Sequence, residues 1–437
     1  MILRSIVFLL VASACVAQTT SGTMSNSSDI TALTRLANQG DTDAQIKLAD
    51  AYLRGRGVVQ NSAEALRLFR AAAGRDNPEA QYTLGSLYAA GIAVKRNDVL
   101  ASLWFLRAAG NGSAKAQYNL GVRYAYGRGV PKDETQAAAW FRKSAEQGYA
   151  PGELGLAAGF ANGLGIPQDK TEAFKWYKKA AEQGMAEAQT NVGIALREGI
   201  GVAVNYPEAK VWLEKAASQN NADAEFHLGI MYASGQGVPP NFVTAADYYR
   251  LAVEHGSAPA LNNLALLYRD GKGVPQDQHQ AITLSTQAAE KGVVVAQKYL
   301  SGAYFTGNGV PKDVAQGAKW MQLAAQQGDA EAECNLAALY LAGAGVPKST
   351  EQAQIWYEKA AEHGFAKAQN NLGAIYGNGT GIPKDFVKAY MWLLLAQRNG
   401  YTTSQQGLDW LKPQMTAEQI AQGEAFAQQW TMSHAGP

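Results

Sequence analysis

A sequence period of 36 residues constrains the fold of this chain more than any other feature. Residues 42–401 of the 437 divide into ten consecutive units of that length, with no insertion or deletion between them. A segment this short cannot bury an apolar face alone, so adjacent units must stack and share one continuous core. The units begin at Thr42, Pro78, Ala114, Ala150, Ala186, Ala222, Ala258, Val294, Ala330 and Ala366.

The first part of every unit has the apolar spacing of an amphipathic helix, which we call helix A. Position 7 of the unit is Leu in nine units and Val192 in the remaining one, and position 8 is always Ala, Gly or Ser. Position 11 is Tyr in eight units. Positions 3, 7, 8 and 11 share one face of a helix with about 3.6 residues per turn. The small residue at position 8 predicts that another helix approaches closely there.

A turn and a second helix, called helix B, complete the unit. Position 14 is Gly in all ten units, which predicts a left-handed helix end, and position 16 is Gly in every unit except at Ala93. Position 20 is always Asp, Asn or Ser, residues that cap the first turn of a helix. In helix B, position 24 is Ala except at Gly317, and position 27 is Trp in seven units. We therefore interpret these glycines and tryptophans as scaffold residues.

The pattern A-x-A-Q-x-x-L-G-x-x-Y-x-x-G-x-G-V-P-x-D, followed by A-x-x-W-Y-x-K-A-A-E-x-G, resembles the Sel-one-like repeat (SLR), a relative of the tetratricopeptide repeat. The resemblance covers residues 42–401. It implies an all-α fold, a right-handed α/α superhelical solenoid, with a scaffold or adaptor role. Three units depart from the pattern locally, at Ile92–Lys95, at Leu196 and at Leu284–Ser285. These departures weaken single layers and leave the predicted fold intact.

Both ends of the array predict capping helices, which shield the exposed core of a solenoid. Residues 29–41 resemble an isolated helix B, and residues 402–437 contain an imperfect helix A at 407–411. Thr416 and Gln419 have the spacing of a capping box. The apolar side of the helix that follows is expected to hold Ile420, Phe426, Ala427 and Trp430.

The N-terminal residues predict export. One Arg precedes an apolar run that is shorter than the roughly 20 residues needed to span a bilayer, and small residues follow it, as in a signal peptide. Cleavage after Ala17 would remove residues 1–17, whereas a lipoprotein signal of residues 1–14 would leave a lipid on Cys15. Residues 18–28 would then form a flexible linker. The protein is expected in the periplasm or as an outer-membrane lipoprotein, with secretion as an alternative, and the mass of the mature N-terminus distinguishes the two cleavage sites.

Composition and motif spacing argue against several function classes. Lys plus Arg number 38 and Asp plus Glu 37, so the chain lacks the basic footprint of a nucleic-acid binder. The five histidines are scattered without clustered ligands, so neither a metal nor another cofactor is expected. The Gly-x-Gly turns follow helices rather than strands, unlike dinucleotide-binding loops. A catalytic Cys334 would need a nearby base, and its place in the repeat favours packing. We predict that the chain is not an enzyme.

The variable positions of helix A are the candidate binding surface. In related helical arrays helix A lines the concave face, and positions 5, 9, 12 and 13 vary here. Aromatic, Arg and Asn side chains suit an extended peptide, which needs stacking and main-chain hydrogen bonds. The alternative is that position 5 packs between layers and that the Asn series is structural. The candidate residues are Tyr82, Tyr118, Tyr126, Arg197, Phe226, Arg269 and Phe305, together with Asn119, Asn191, Asn263, Asn335 and Asn371 at position 6.

The sequence therefore favours a non-catalytic scaffold that binds a protein or peptide in the bacterial cell envelope. A rival hypothesis is a regulatory or assembly subunit that binds peptidoglycan or an exported polysaccharide. A secreted effector is less favoured. Some cysteine-rich relatives were first named as β-lactamases. A hydrolase of that kind is less favoured too, because this chain lacks the paired cysteines of those relatives. We expect no nucleic-acid partner and no membrane span, and a lipid anchor at Cys15 stays an alternative.

Overall fold

The computed structural model describes residues 27–434, and every regular element within that range is helical. Twenty-three α-helices lie there, numbered α1 to α23 in chain order. The all-α prediction is confirmed. The chain separates into two compact units, one ending at Pro239 and the other beginning at Pro240, in the turn of the sixth repeat. Residues 1–26, including Cys15, lie outside the described residues.

Each repeat contributes one helix A and one helix B, as the sequence period predicts. The A helices are α2 (Thr42–Arg54), α4 (Pro78–Ala90), α6 (Ala114–Tyr126), α8 (Ala150–Asn162), α10 (Ala186–Glu198), α12 (Ala222–Ser234), α14 (Ala258–Asp270), α16 (Val294–Thr306), α18 (Ala330–Ala342) and α20 (Ala366–Asn378). The B helices are α3 (Ser62–Ala73), α5 (Asp98–Gly110), α7 (Glu134–Glu146), α9 (Lys170–Glu182), α11 (Tyr206–Ala217), α13 (Phe242–Glu254), α15 (Gln278–Glu290), α17 (Val314–Gln326), α19 (Thr350–Glu362) and α21 (Phe386–Arg398). The flanking elements are α1 (Ser27–Gln39), α22 (Ser404–Leu411), a 3₁₀ turn at Lys412–Gln414 and α23 (Ala417–His434).

The residues that begin and end these helices behave as their sequence positions predict. Every position-20 side chain accepts a hydrogen bond from a backbone N–H in the first turn of helix B. Asp133, for example, accepts from the N–H of Gln136 at 2.9 Å. Position 14 is left-handed in each repeat, as at Gly127 with a φ of 66°, and its N–H donates to the carbonyl of Arg123. The predicted helix boundaries are therefore confirmed.

The two turn glycines are required for different reasons. At position 14 there is room for a side chain, since a Cβ on Gly127 would lie 3.4 Å from the Cβ of Lys132. Position 16 is also left-handed, with a φ of 71° at Gly129, but a Cβ there would collide with the carbonyl oxygen of Asp98. Asp98 begins helix B of the preceding repeat. In the third repeat, position 16 is thus a point where the backbones of successive repeats meet, and that contact leaves no room for a side chain at Gly129.

Helix A and helix B pack through a small residue on one and a large residue on the other. A Cβ on Gly121, at position 8 of α6, would lie 2.7 Å from the ring of Phe141 on α7. Gly85 and Phe105 repeat the arrangement at 2.8 Å in the second repeat. The predicted close approach at position 8 is confirmed. Its partner is position 28, which is large and apolar in every repeat except at Ser285.

The tryptophans at position 27 are part of the scaffold, as predicted. Trp212, Trp356 and Trp392 are buried, and the other four are half-buried. A Lys three residues later covers several of the indoles; the Nζ of Lys179 lies 3.7 Å from the ring centroid of Trp176. The same contact occurs at Trp140, Trp212 and Trp356. A cation over an indole contributes about 0.5–1 kcal/mol at an exposed site.

A ladder of buried amides links successive repeats. Gln81, at position 4, donates to the carbonyl of Ala73 near the end of the preceding helix B at 3.1 Å. Its side-chain oxygen accepts from Asn111, at position 34 of its own repeat, at 2.9 Å. An acidic version of this rung pairs Glu333 with His363 at 2.8 Å. The carbonyl contact recurs at Gln45, Gln117, Gln189, Gln297 and Gln369. Because an unpaired buried polar group costs about 1–3 kcal/mol, the ladder favours a single stacking register.

The C-terminal cap forms largely as predicted. The N–H of Gln419 donates to Thr416 Oγ1 at 3.2 Å, and the N–H of Thr416 donates to Gln419 Oε1 at 2.9 Å. This reciprocal pair confirms the capping box. Ala427 is fully buried, and Ile420 and Trp430 pack partly buried against the same core.

The prediction that Phe426 faces the core is wrong. Its side chain is 40% exposed. The contact is made instead by Gly423, where a Cβ would lie 2.8 Å from the ring of Tyr390 on α21. Because residue 423 is a glycine, α23 packs against α21 through residues 423 and 427. Phe426 then lies on the other side of α23 and is exposed to solvent.

We predict that Gly129→Ala destabilises the chain more than Gly127→Ala. Both residues are left-handed, so each substitution costs about 1–2 kcal/mol from backbone strain alone. Only Gly129→Ala adds the collision with Asp98. The free energies of unfolding from urea titrations measure the difference. Equal losses would contradict the close contact between repeats at position 16.

We also predict that Ala93→Gly stabilises the chain. Ala93 is the one non-glycine at position 16 and has a φ of 62°. Relief of this strain outweighs the extra freedom that glycine gives the unfolded chain, with a net gain of up to about 1 kcal/mol. Thermal unfolding followed by circular dichroism measures the change. A lower melting temperature for Ala93→Gly would show that the alanine is unstrained.

Candidate functional site

The helix A surface of the first compact unit contains a pocket of about 230 Å³. It lies between α6 of the third repeat and α8 of the fourth, with α7 beneath, and we call it the α6–α8 pocket. Two predicted binding residues, Tyr118 and Tyr126, line it. The other walls are mostly apolar, and include Val122, Phe141, Pro151, Leu154, Ala158 and Leu164.

The pocket is open because α8 lacks side chains where other A helices have them. Gly155 occupies position 6, where five repeats have Asn, and Gly159 occupies position 10. A Cβ on Gly155 would lie 2.8 Å from the ring of Phe141, so the absent side chain admits that ring to the pocket floor. Position 9 is Ala158, whereas the next two repeats have Ile there. The glycine and alanine content of α8 was the sequence signal for this pocket, and the search for aromatic residues missed it.

The rim of the pocket combines aromatic and charged groups. Tyr126 is 37% exposed, and the guanidinium of Arg128 lies 5.3 Å from its ring centroid. Lys132 and Glu134, which also line the pocket, form an ion pair at 2.8 Å. Lys and Arg outnumber Asp and Glu in residues 114–149. This arrangement suits an apolar group with a negatively charged neighbour.

Tyr118 connects the wall of the pocket to the core. Its ring centroid lies 5.8 Å from that of Phe141 and 6.0 Å from that of Tyr149. Burial, with a smaller contribution from Tyr149, raises the pKa of Tyr118 to about 12. The hydroxyl therefore stays protonated at neutral pH and can donate a hydrogen bond.

Three other predicted aromatic residues pack mainly within the scaffold. Tyr82 is half-buried, with its ring centroid 5.7 Å from that of Phe105. Phe305 covers Gly317, where a Cβ would lie 3.0 Å from its ring, which explains the only glycine at position 24. Phe226 lies 5.4 Å from the ring of His227. Their role in binding stays a prediction.

The predicted Asn series makes hydrogen bonds to its own scaffold. Asn119 donates to the carbonyl of Lys115 at 2.9 Å, and Asn191 donates to that of Glu187 at 2.8 Å. Asn263 donates to the hydroxyl of Tyr249 at 3.2 Å. Asn371 bonds to Tyr357, and Asn335 is half-buried. These bonds occupy part of four of the five amides, and the series stays a predicted partner surface.

The two predicted arginines differ in environment. Arg269 is half-buried, pairs with Asp270 at 2.7 Å and lies over the ring of Tyr299. Arg197 is only 8% exposed and pairs with Glu198. Within the described residues its Nη1 has no hydrogen-bond partner.

His227 is buried beside Arg197, at position 6, where Asn is the common residue. Burial, and to a smaller extent the positive charge of Arg197, lowers the pKa of His227 to about 3. The imidazole is therefore neutral in the folded chain across the physiological range.

Cys334 is buried, and no described cluster of side chains has the composition of a metal site. Burial raises the pKa of the Cys334 thiol to about 11, which disfavours the nucleophilic thiolate. Between residues 27 and 434 no group of three or more His, Cys, Asp or Glu side chains could hold a metal ion. Over the same range no helix has the length and apolarity to cross a membrane.

A family model of the Sel1 repeat matches ten consecutive segments that together cover residues 42–401. The chain belongs to the Sel1 repeat family. The first matched segment is 42–77 and the last is 366–401, the same bounds as the sequence units. The predicted family and the ten-repeat helical solenoid are confirmed.

Solved Sel1 repeat structures resemble the chain along most of its length. One is c5321, a protective antigen present in uropathogenic Escherichia coli strains and displaying an SLR fold; it is 30% identical, with a TM-score of 0.61 over 93% of this chain and 95% of that one. Another is a Sel1 repeat protein from Oxalobacter formigenes, also 30% identical, with a TM-score of 0.55 over 75% of this chain and 99% of that one. No curated protein matches the chain.

We predict that His227→Asn reduces the sensitivity of the fold to acid. The folded pKa of about 3 lies below the ordinary value of 6.5, so the unfolded chain takes up a proton first as the pH falls. His227 therefore lowers the free energy of unfolding as the pH falls from 6.5 to 3, with a slope that approaches about 1.4 kcal/mol per pH unit. Urea unfolding at pH 7 and at about pH 4 measures the effect. Parallel losses in the wild type and His227→Asn would contradict burial of a neutral imidazole.

Proposed function

We propose that this Sel1 repeat chain is a non-catalytic scaffold that binds a protein segment on its helix A surface. The α6–α8 pocket carries the proposal. In it, Tyr118 and Tyr126 stand over an apolar floor on the surface that helical arrays use for recognition. A large apolar side chain of the partner anchors there.

The size of the pocket supports a side-chain anchor. Pockets for complete small-molecule ligands typically enclose about 300–1,000 Å³. The α6–α8 pocket encloses about 230 Å³. It therefore suits one aromatic or branched side chain inserted from a longer partner, the usual arrangement of an interface hot spot.

The rim gives the partner a preferred charge. Arg128 lies over the exposed ring of Tyr126, Lys132 is paired with Glu134 at the pocket, and the third repeat as a whole is positively charged. An acidic residue next to the apolar anchor would be attracted there, and the attraction would weaken as salt is raised. We therefore propose an apolar–acidic segment as the preferred ligand.

The cellular setting of the proposal comes from residues 1–17. Their signal-like pattern supports a scaffold in the bacterial envelope, either periplasmic or anchored to the outer membrane through Cys15. Peptidoglycan or an exported polysaccharide is the rival ligand class for such a scaffold.

Peptide selection tests the proposal. We expect a displayed library of random peptides to yield sequences with a large apolar residue beside an acidic one. Ala158→Ile fills the pocket with the residue that position 9 has in the next two repeats, so the fold is kept. It should weaken binding of the selected peptides at least tenfold, which corresponds to about 1.4 kcal/mol. Tyr126→Ser should weaken it too.

Leu103→Ser is the matched control, because Leu103 is 51% exposed on α5 and lies outside the pocket. It should leave binding unchanged. Selected peptides that bind Ala158→Ile as tightly as the wild type would move the site elsewhere. Failure of a folded chain to enrich any sequence would contradict a peptide ligand.

A further inference from the structure

A second pocket, of about 250 Å³, lies at the C-terminal end of the array, among α20, α21 and α22. We call it the cap pocket. It lies wholly in the second compact unit, and it owes nothing to the helix A aromatic residues singled out in the sequence.

Glycines on two helices form the cap pocket. Gly377 occupies position 12, which carries a side chain in every other repeat, and a Cβ there would lie 3.3 Å from the indole of Trp410. Gly407 on α22 faces α21, where a Cβ would lie 2.9 Å from the side chain of Leu393. The imperfect helix A that follows the last repeat therefore sits close to α20 and α21, with Trp410 at the edge of the gap. The tenth repeat and the cap therefore form the pocket together.

The polar groups of the cap pocket are uncharged and available. Asn370, Asn378, Thr403 and Gln406 line it. Within residues 27–434, none of these four side chains makes a hydrogen bond or an ion pair. Amides and hydroxyls both donate and accept hydrogen bonds, so together they complement a ligand whose groups also do both. Sugar hydroxyls are groups of that kind.

Trp410 supplies the apolar part of the site. Its side chain is 49% exposed, although it lines the pocket. The electron-rich face of an indole attracts weakly positive C–H groups. A pyranose ring presents such C–H groups on its faces and hydroxyls around its edge. An exposed indole that lines a pocket together with three amides and a hydroxyl provides both kinds of contact.

The absence of charge narrows the ligand class further. Of the described residues, those that line the cap pocket include no Lys, Arg, His, Asp or Glu. An anionic or cationic ligand would lose hydration there without gaining an opposite charge. The α6–α8 pocket, with Lys132 and Glu134 at its rim, differs in this respect.

We infer that the cap pocket is a binding site for one residue of a neutral oligosaccharide. The site is separate from the proposed peptide site and uses different helices and a different chemistry. The chain would then hold a glycan at its C-terminal end and a protein segment on its helix A surface.

Isothermal titration calorimetry tests the inference. The purified full chain is titrated with two probes, cellotetraose and chitotetraose. We expect at least one of them to bind. Trp410→Ala should weaken binding at least tenfold, and Gln406→Leu, which keeps the size of the side chain and removes its hydrogen bonds, should weaken it as well. Binding should not change when salt is raised about tenfold, because screening acts only on charges.

Two variants separate this site from its surroundings. Phe426→Ala removes another exposed ring of the same cap, 40% exposed and outside the pocket, and should leave sugar binding unchanged. Ala158→Ile should also leave it unchanged, so failure of the peptide proposal and failure of this one are distinguishable. Circular dichroism checks that Trp410→Ala is folded.

Three results would overturn the inference. The first is that neither tetrasaccharide binds the folded wild type. The second is that Trp410→Ala binds the sugars as tightly as the wild type does. The third is that an uncharged tetrapeptide binds and depends on Trp410, while the sugars do not bind. That result would make the cap pocket a second peptide site.

Discussion

The contact between the small residue at position 8 of helix A and the large side chain at position 28 of helix B sets the spacing of the helix pair, and all repeats except the seventh, with Ser285, have this pair of residues. Gly121 against Phe141 shows why, since a Cβ would lie only 2.7 Å from the ring. The two helices pack at that distance, and the turn between them is fixed by glycines with left-handed backbones. This spacing is required for the burial of position 28, for the packing of the tryptophans beside it and for the amide ladder. A larger residue at position 8 would force the pair apart and misalign the contacts that stack one repeat on the next.

The candidate sites lie where the chain departs from the repeat pattern but keeps this spacing. α8 retains Leu156 and Ala157 at positions 7 and 8, yet has Gly155 and Ala158 on its outer side, and the α6–α8 pocket opens there. α20 retains Leu372 and Gly373, yet has Gly377 at position 12, and the cap pocket opens there. In both places the absence of a side chain leaves the cavity open, and a neighbouring aromatic ring forms part of its wall.

Much of the fold could be predicted from sequence because its determinants are local. Asp133 caps a helix, Gly127 ends one and Thr416 begins one through contacts within a few residues, so their spacing was sufficient. The amide ladder was missed because its partners lie 30 residues apart in sequence and meet only after stacking, as Gln81 and Asn111 do. A polar residue recurring at position 4 inside an apolar stripe was the signal that could have found it.

The candidate site was harder to predict because it depends on the residues of two repeats at once. Tyr82 and Tyr118 occupy the same position, yet Tyr118 lines a pocket since α8 leaves space beside it, and Tyr82 packs on Phe105. The sequence pattern of one repeat does not show whether the next repeat leaves space beside its position 5. Phe426 shows the same limit at the C-terminus, where Gly423 decided which side of α23 turns inward.

The amide ladder also bears on how such a chain can change its length. Five repeats carry both the Gln that reaches back to the preceding carbonyl and the position-34 amide that bonds to that Gln, as Gln117 and Gln147 do. A duplicated copy of one of these five repeats therefore brings both halves of a rung with it. Gene duplication can lengthen or shorten the array by whole repeats, while a gain or loss of a few residues would separate the partners of a rung.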